Sequence, residues 1–285
     1  MSLATGLFVF VLGAALGSFI NVLALRYTSS RGFSPAFRGR SKCPKCKKGL
    51  AWYELIPVIS FIIQLGRCRG CRKGISLQYP VVEFIAGILV WGAMSKVGVN
   101  PIGIVWSLAL LTLLLISIVD LRTKLIPDSL VLTLVGLGIA SIIFRYLTDQ
   151  LCESIPDIEG INLLGHYSLI LRFGMGQVIN HIAAILVGLL FFGGLYSLSG
   201  GRGMGFGDVK LIGALGTLIM WPDIILVLVL PFIIGSIFGL FMMIFRGMAF
   251  KSTLPFGPFI ALGVILVFFF GYDITNGYFT LFNIF

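Results

Sequence analysis

Eight apolar runs divide the chain, at about residues 3–25, 80–96, 101–119, 129–147, 178–199, 209–221, 224–245 and 256–275. A helix needs about 20 apolar residues to cross a bilayer core, and about 17 at the least. Six runs meet this easily, and 80–96 meets it narrowly. The run 209–221 does so only by borrowing Gly207-Asp208 and Pro222-Asp223 at its ends. Only 11% of residues are charged and 58% are hydrophobic, against about 25% charged in soluble domains. Mean hydropathy is +1.05. The pattern predicts an all-α polytopic membrane protein of about eight spans and excludes an ordinary soluble enzyme. The opening Met1-Ser2-Leu3 lacks a basic stretch, so the first run reads as a retained helix. Gly13 and Gly17 in the first run, and Gly136, Gly138 and Ala140 in the fourth, predict close helix packing.

The basic residues give the runs an orientation. Twelve Lys or Arg lie from Arg26 to Lys73, and Arg122, Lys124, Arg202, Lys210, Arg246 and Lys251 fall on the same side if eight spans alternate. Only Lys96, Arg145 and Arg172 fall opposite. The positive-inside rule then puts 26–79, 120–128, 200–208 and 246–255 in the cytoplasm. The net charge of +10 is thus a topology signal, and no nucleic-acid partner is expected. The segment 148–177 is expected outside, with Asp149, Glu153, Asp157 and Glu159. Its apolar residues suit a partial seat on the membrane surface.

Between the first two runs stand Cys43-Pro-Lys-Cys46 and Cys68-Arg-Gly-Cys71. Two CxxC pairs supply four thiolates, the ligand set of tetrahedral structural zinc. A cytoplasmic domain this small has little core of its own, and metal would supply folding energy. Two disulfides are the competing reading, and a reducing compartment disfavours them. The stretch between the pairs, LAWYELIPVISFIIQLG, is apolar enough to lie on the membrane surface or against the helices. It carries Glu54 and Pro57. Cys152 receives no role.

Ionisable groups at membrane depth are costly and often functional. Asp120 closes the third run, Asp128 follows Pro127 as a helix cap at the fourth, Asp208 opens the sixth, and Glu83 starts the second. Asp208 ends Gly205-Phe-Gly207-Asp208. Without a preceding strand or a terminal Gly-Lys-Ser/Thr, this is no nucleotide loop. Its glycines instead permit close backbone approach. If a helix packs there, Asp120 and Asp208 become neighbours that share one proton. One carboxylate could then activate water while its protonated partner donates to a carbonyl. Cation binding or helix capping in a transporter or structural membrane protein is the alternative. His166 and His181 carry no motif.

The chain resembles the type IV prepilin peptidases, or leader peptidase/N-methyltransferases, which are membrane aspartic proteases with a GxGD signature. The resemblance rests on Gly17-Ser18-Phe19 with Asn21-Val22 and Arg26, the cysteine pairs, and Tyr79-Pro80 with Glu83. It continues through Asp120-Leu-Arg-Thr-Lys-Leu-Ile-Pro127-Asp128, Gly205-Phe-Gly207-Asp208 with Lys210, and Pro255-Phe-Gly-Pro258. It implies cytoplasmic cleavage of prepilins or pseudopilins that carry a basic leader and an apolar helix. Methylation of the new α-amine by S-adenosylmethionine would follow. Asp120 and Asp208 would be catalytic, supported by Gly205, Gly207, Lys210, Pro127 and Asp128. The four cysteines would hold structural zinc. Glu54, Pro57 and Glu83 would serve methyl transfer or substrate. The setting would be a bacterial cytoplasmic (inner) membrane, with lipid as a further partner. The expected organisation is a first transmembrane helix (1–25), a four-cysteine domain (26–79) and a protease core (80–285). The 87 residues between Asp120 and Asp208 mark 148–177 as an insertion.

Overall fold

The computed structural model describes residues 1–30, 32–33, 41–151, 163–164, 167, 176–246 and 254–281. Cys152, Glu153, Asp157, Glu159, His166, Arg172 and Lys251 lie outside the described residues, as do the side chains of Asp149 and Arg246. The described residues are helical, with three isolated two-residue bridges in the loops. They form two compact units, Met1–Val99 and Asn100–Phe285.

In the first unit, helix α1 (Leu3–Arg26) starts on Ser2, whose hydroxyl accepts the Thr5 N–H at 3.2 Å. A 3-10 turn (Trp52–Leu55) and the short α2 (Ile59–Ile63) lie in the loop, and α3 (Gln78–Val97) returns against α1. The small-residue face expected in the first run makes this contact. A Cβ on Gly13 would stand 2.9 Å from the Ala86 carbonyl, and one on Gly17 would stand 2.9 Å from Glu83 Cα. With no side chain between them, the two backbones touch.

The second unit holds α4 (Pro101–Thr123), α5 (Asp128–Leu151), α6 (Gln177–Leu198), α7 (Phe206–Leu215), α8 (Ile224–Arg246) and α9 (Gly257–Leu281). Asn100 caps α4 by accepting the Gly103 N–H at 2.8 Å, and Pro101 takes the first helical position. The helix ends where Lys124 turns left-handed (φ 55°) and its N–H closes on the Asp120 carbonyl at 2.8 Å. That stop fixes Asp120 in the last turn. Asp128 does not cap α5. It stands exposed in the first turn, while the Pro127 carbonyl accepts the Leu130 and Val131 N–H groups.

Among the described residues, seven helices are long and apolar enough to cross a membrane. The eighth expected span is different. Helix α7 has ten residues, about 15 Å, which is half a hydrocarbon core. It runs antiparallel to α6, with Gly188 against Ile212, Gly216 against Ile185, and the Trp221 N–H on the Asn180 carbonyl at 3.0 Å. Residues 216–223 follow it as mostly buried turns rather than helix. Their amides close on Ala214 and Leu215. Irregular backbone survives at membrane depth only when shielded by protein, and here it is. His181 is buried on α6 with Nδ1 3.2 Å from the Gly216 carbonyl, a packing role for that turn.

Beyond α5 the described part of the expected outer segment is fastened to this unit. The Leu163 N–H donates to Asp223 Oδ2 at 2.8 Å, and the Tyr167 hydroxyl meets Asn276 Oδ1 at 3.0 Å. Arg145, within α5, is buried.

Candidate active site and four-cysteine site

Two buried carboxylates lie at one end of the second unit. Asp120 is 4% exposed and Asp208 6% exposed. Asp120 Oδ2 accepts the Gly257 N–H from the start of α9 at 2.9 Å. Asp208, in the first turn of α7, accepts the Gly205 N–H through Oδ2 at 3.2 Å. A carboxylate there also suits the positive end of the helix dipole. The two side chains lie close enough for the charge of Asp120 to act on Asp208. Each thus has one oxygen tied to a backbone amide, and neither has a cationic partner among the described residues.

The glycines serve closeness. A Cβ on Gly207 would lie 3.2 Å from Ile126, where α7 packs on the segment between α4 and α5. A Cβ on Gly257 would lie 2.7 Å from Asp120 Oδ2. Gly257 therefore belongs to the site as an amide donor that no other residue could replace without displacing the carboxylate. Gly257 stands within Pro255-Phe-Gly-Pro258, and nothing in the sequence marks its amide as part of the site. Lys210 and Asp128 form an ion pair at 2.8 Å, with side chains 40% and 70% exposed. Such a pair contributes at most about 1 kcal/mol. Lys210 also lies over the Phe206 ring, 5.3 Å from its centroid. Pro127 is buried beneath the start of α5.

In the first unit the sulfurs of Cys43, Cys46, Cys68 and Cys71 all lie within 4.8 Å of one another. Cys43–Cys71 and Cys46–Cys68 are each 4.0 Å apart. Tetrahedral Zn–S bonds of about 2.3 Å put sulfurs about 3.8 Å apart, whereas a disulfide requires about 2.05 Å. The four cysteines are free thiols in metal-ligand geometry. The Cys43 thiol is pulled down to about 6 by the backbone N–H groups of Cys46 and Lys45, while the neighbouring Cys46 is pushed up to about 11, so Cys43 is the sulfur that ionises first of the two.

Each pair sits in the same knuckle. The Cys43 N–H bonds the Lys48 carbonyl and the Lys47 N–H bonds the Cys43 carbonyl, both at 2.9 Å. Cys68, Lys73 and Arg72 repeat this at 3.0 and 2.8 Å. Lys47 and Arg72 are both left-handed, with φ 59° and 54°. The sequence signal is the repeat of Cys-x-x-Cys-Lys/Arg-Lys-Gly at Cys43–Gly49 and Cys68–Gly74. The unit is too short to stand out as an internal repeat.

Two family models match in tandem. One described as Bacterial Peptidase A24 N-terminal domain covers residues 11–97, and one described as Type IV leader peptidase family covers 107–240. A prepilin leader peptidase/N-methyltransferase of Burkholderia pseudomallei (strain K96243) is 32% identical over 296 residues, spanning 95% of this chain and 88% of its own length. The chain belongs to the type IV leader peptidase family. Proteins of the same name from Aeromonas salmonicida (strain A449) and Stutzerimonas stutzeri are 31% and 30% identical. They cover 84% and 94% of this chain, and 74% and 91% of their own lengths. No solved structure gives a significant match.

Within this leader peptidase the two matches part where the two compact units part. The N-terminal match contains the four cysteines and the second contains both aspartates. Gly257 lies beyond the second match, although its amide completes the aspartate site. The remaining candidates gather at the loop end of α1 and α3. Glu83 Oε2 accepts the Val58 N–H at 2.8 Å, with Ser18 near the same carboxylate. Asn21 is fully buried and donates to the Tyr79 carbonyl at 3.2 Å. Glu54 is buried too, but it turns inward to accept its own Ala51 N–H at 2.9 Å. Pro57 is half-buried beside Val58. Among the described contacts, Glu83 is tied to the Pro57–Val58 corner and Glu54 to the 3-10 turn, so the two carboxylates hold different parts of the loop.

Proposed function

We propose that this membrane enzyme removes the leader from prepilins or pseudopilins and methylates the α-amine thereby exposed. Asp120 and Asp208 carry the hydrolysis. The ionised member takes a proton from water, and the water oxygen forms a bond to the scissile carbonyl carbon. The protonated member gives its proton to the carbonyl oxygen. Collapse of the tetrahedral species breaks the C–N bond, and the leaving amine takes up a proton. Supporting this reading are the two neighbouring buried carboxylates and a family whose relatives carry both activities in their names. Gly205 and Gly257 orient the pair, and Gly207 permits the approach of α7. Pro127, Asp128 and Lys210 brace the entry to the site. The transporter alternative loses its basis once the chain belongs to a peptidase family.

The peptide bond to be cut must leave its helix, because a helical carbonyl is already bonded along the ladder. The substrate's apolar helix stays in the lipid while its basic leader reaches the carboxylates. The excess of Lys and Arg on one side supports a cytoplasmic site in a bacterial inner membrane.

Residues 26–79 form the four-cysteine domain and residues 80–285 the protease core, with 148–177 an insertion in it. Cys43, Cys46, Cys68 and Cys71 would hold zinc, which supplies a fixed crosslink and no open coordination position. S-adenosylmethionine is the methyl donor, and Glu83 with Pro57 and Glu54 shapes the adjoining amine site. Glu83 is the better placed of the two carboxylates, since Glu54 already caps its own turn.

The reading is tested with purified protein in lipid and a model prepilin. The expected products are free leader, and a mature chain about 14 Da heavier when S-adenosylmethionine is present, the gain of CH3 for H. An unchanged product mass would remove the transferase role and leave the peptidase. For the metal, the wild type should hold one zinc per chain and C43S/C46S none, with proteolysis of the 41–75 loop rising sharply. Equal zinc in both would overturn the four-sulfur site.

A further inference from the structure

The loop between the cysteine pairs shows an unusual surface. Trp52 is 78% exposed, Leu65 85%, Ile63 65% and Ile62 63%, with Tyr53 and Ile59 exposed beside them. Phe61 is half-buried, its ring packed beneath Gly66. Around this apolar tip lie four exposed lysines in 42–48 and four exposed basic residues in 67–73. The only acid between Arg26 and Glu83 is Glu54, and it is buried. Exposed apolar area of this size marks an interaction site, and its cationic rim selects an anionic occupant.

The anchor of the loop sets its depth. Val58 holds φ 61° and ψ −51°, a conformation costly for a β-branched residue, and its N–H is fixed by Glu83. Glu83 is the sixth residue of α3, about 7.5 Å along the axis from Gln78. Helix α3 has 20 residues, about 30 Å, which matches the hydrocarbon core. The root of the loop is thus held one and a half turns inside the end of a membrane helix. Interfacial segments lie at a similar depth, about 5–10 Å into the headgroup and acyl boundary. Exposed Leu77, Val81 and Phe84 continue the apolar surface down α3.

We propose that residues 52–65 are an interfacial wedge that inserts into the adjoining leaflet, with the flanking lysines and arginines binding anionic lipid headgroups. Trp52 and Tyr53 suit the membrane boundary, where one end of the ring is apolar and the other wet. Each basic residue near an anionic surface adds attraction that salt weakens. The wedge would hold the four-cysteine knuckles at a set height over the bilayer.

The test replaces Ile62 with a photoreactive benzophenone amino acid in the full-length protein. The variant is reconstituted into phosphatidylcholine containing a minority of phosphatidylglycerol, and adducts are identified by mass spectrometry. Phe84, mid-surface on α3, is the lipid-facing reference, and Trp52 is a second probe should position 62 misfold. The expected result is lipid adducts at 62 and 52 comparable in yield to those at 84. Phosphatidylglycerol should be enriched at least about twofold over its share of the bilayer, within the attraction of a single basic residue. R72Q/K73Q should lower that enrichment. Adducts to residues 100–281, to a second copy or to added prepilin, adducts confined to solvent, or no preference for phosphatidylglycerol would each overturn the proposal.

Discussion

D120N and D208N should each lose leader cleavage by about 10³-fold or more, with little change in thermal stability. General acid–base catalysis contributes about 10²–10⁴-fold, and each substitution removes one partner of a pair that exchanges protons. Asparagine is the informative replacement. Its amide oxygen can still accept the Gly257 or Gly205 N–H that the aspartate accepts, so the backbone anchor survives. A fall in rate then reports chemistry and not collapse. The double variant should be no worse than either single one, because groups acting as a unit are not additive. Methylation offers an internal control. A mature peptide with a free α-amine should still be methylated by D120N, since the cysteine-containing unit is compact without these residues. Wild-type cleavage in either single variant would remove the dyad mechanism.

The helices were largely legible in the sequence because a bilayer demands a length, and seven runs meet it with their observed helices. The run 209–221 was read as a span and proves to be a half-length helix with buried turns. Hydropathy reports burial from water, and buried irregular backbone surrounded by protein is as apolar as a helix. The cysteine pairs were legible because metal geometry constrains side-chain type and spacing. Glu54 was less so. Its partner is the N–H of Ala51, and alanine gives no capping signal, so a carboxylate fastened to its own turn looked free for substrate. The same blindness hid Gly257, whose contribution is a backbone amide and an absent side chain.

Gly257→Ala should lower kcat by about 100-fold while leaving substrate affinity nearly unchanged. The new Cβ would stand 2.7 Å from Asp120 Oδ2 and 3.3 Å from its carboxyl carbon, so the carboxylate must move. Movement is resisted from the other side, because the same residue supplies the N–H that holds Oδ2 at 2.9 Å. Helix propensity would favour alanine at the start of α9, so stability should hold or rise. The cost therefore falls on orientation, where about 1 Å of misplacement is worth about 10²-fold. Gly207→Ala makes the comparison. Its Cβ would meet Ile126 at 3.2 Å, an aliphatic neighbour that can yield by a few tenths of an ångström, and the loss should be several-fold at most. If both alanines cost the same, tight packing alone explains them and Gly257 has no separate part in aiming Asp120. If Gly257→Ala alone cripples kcat, the amide at the start of α9 is part of the peptidase, as necessary to Asp120 as the turn at Gly205 is to Asp208.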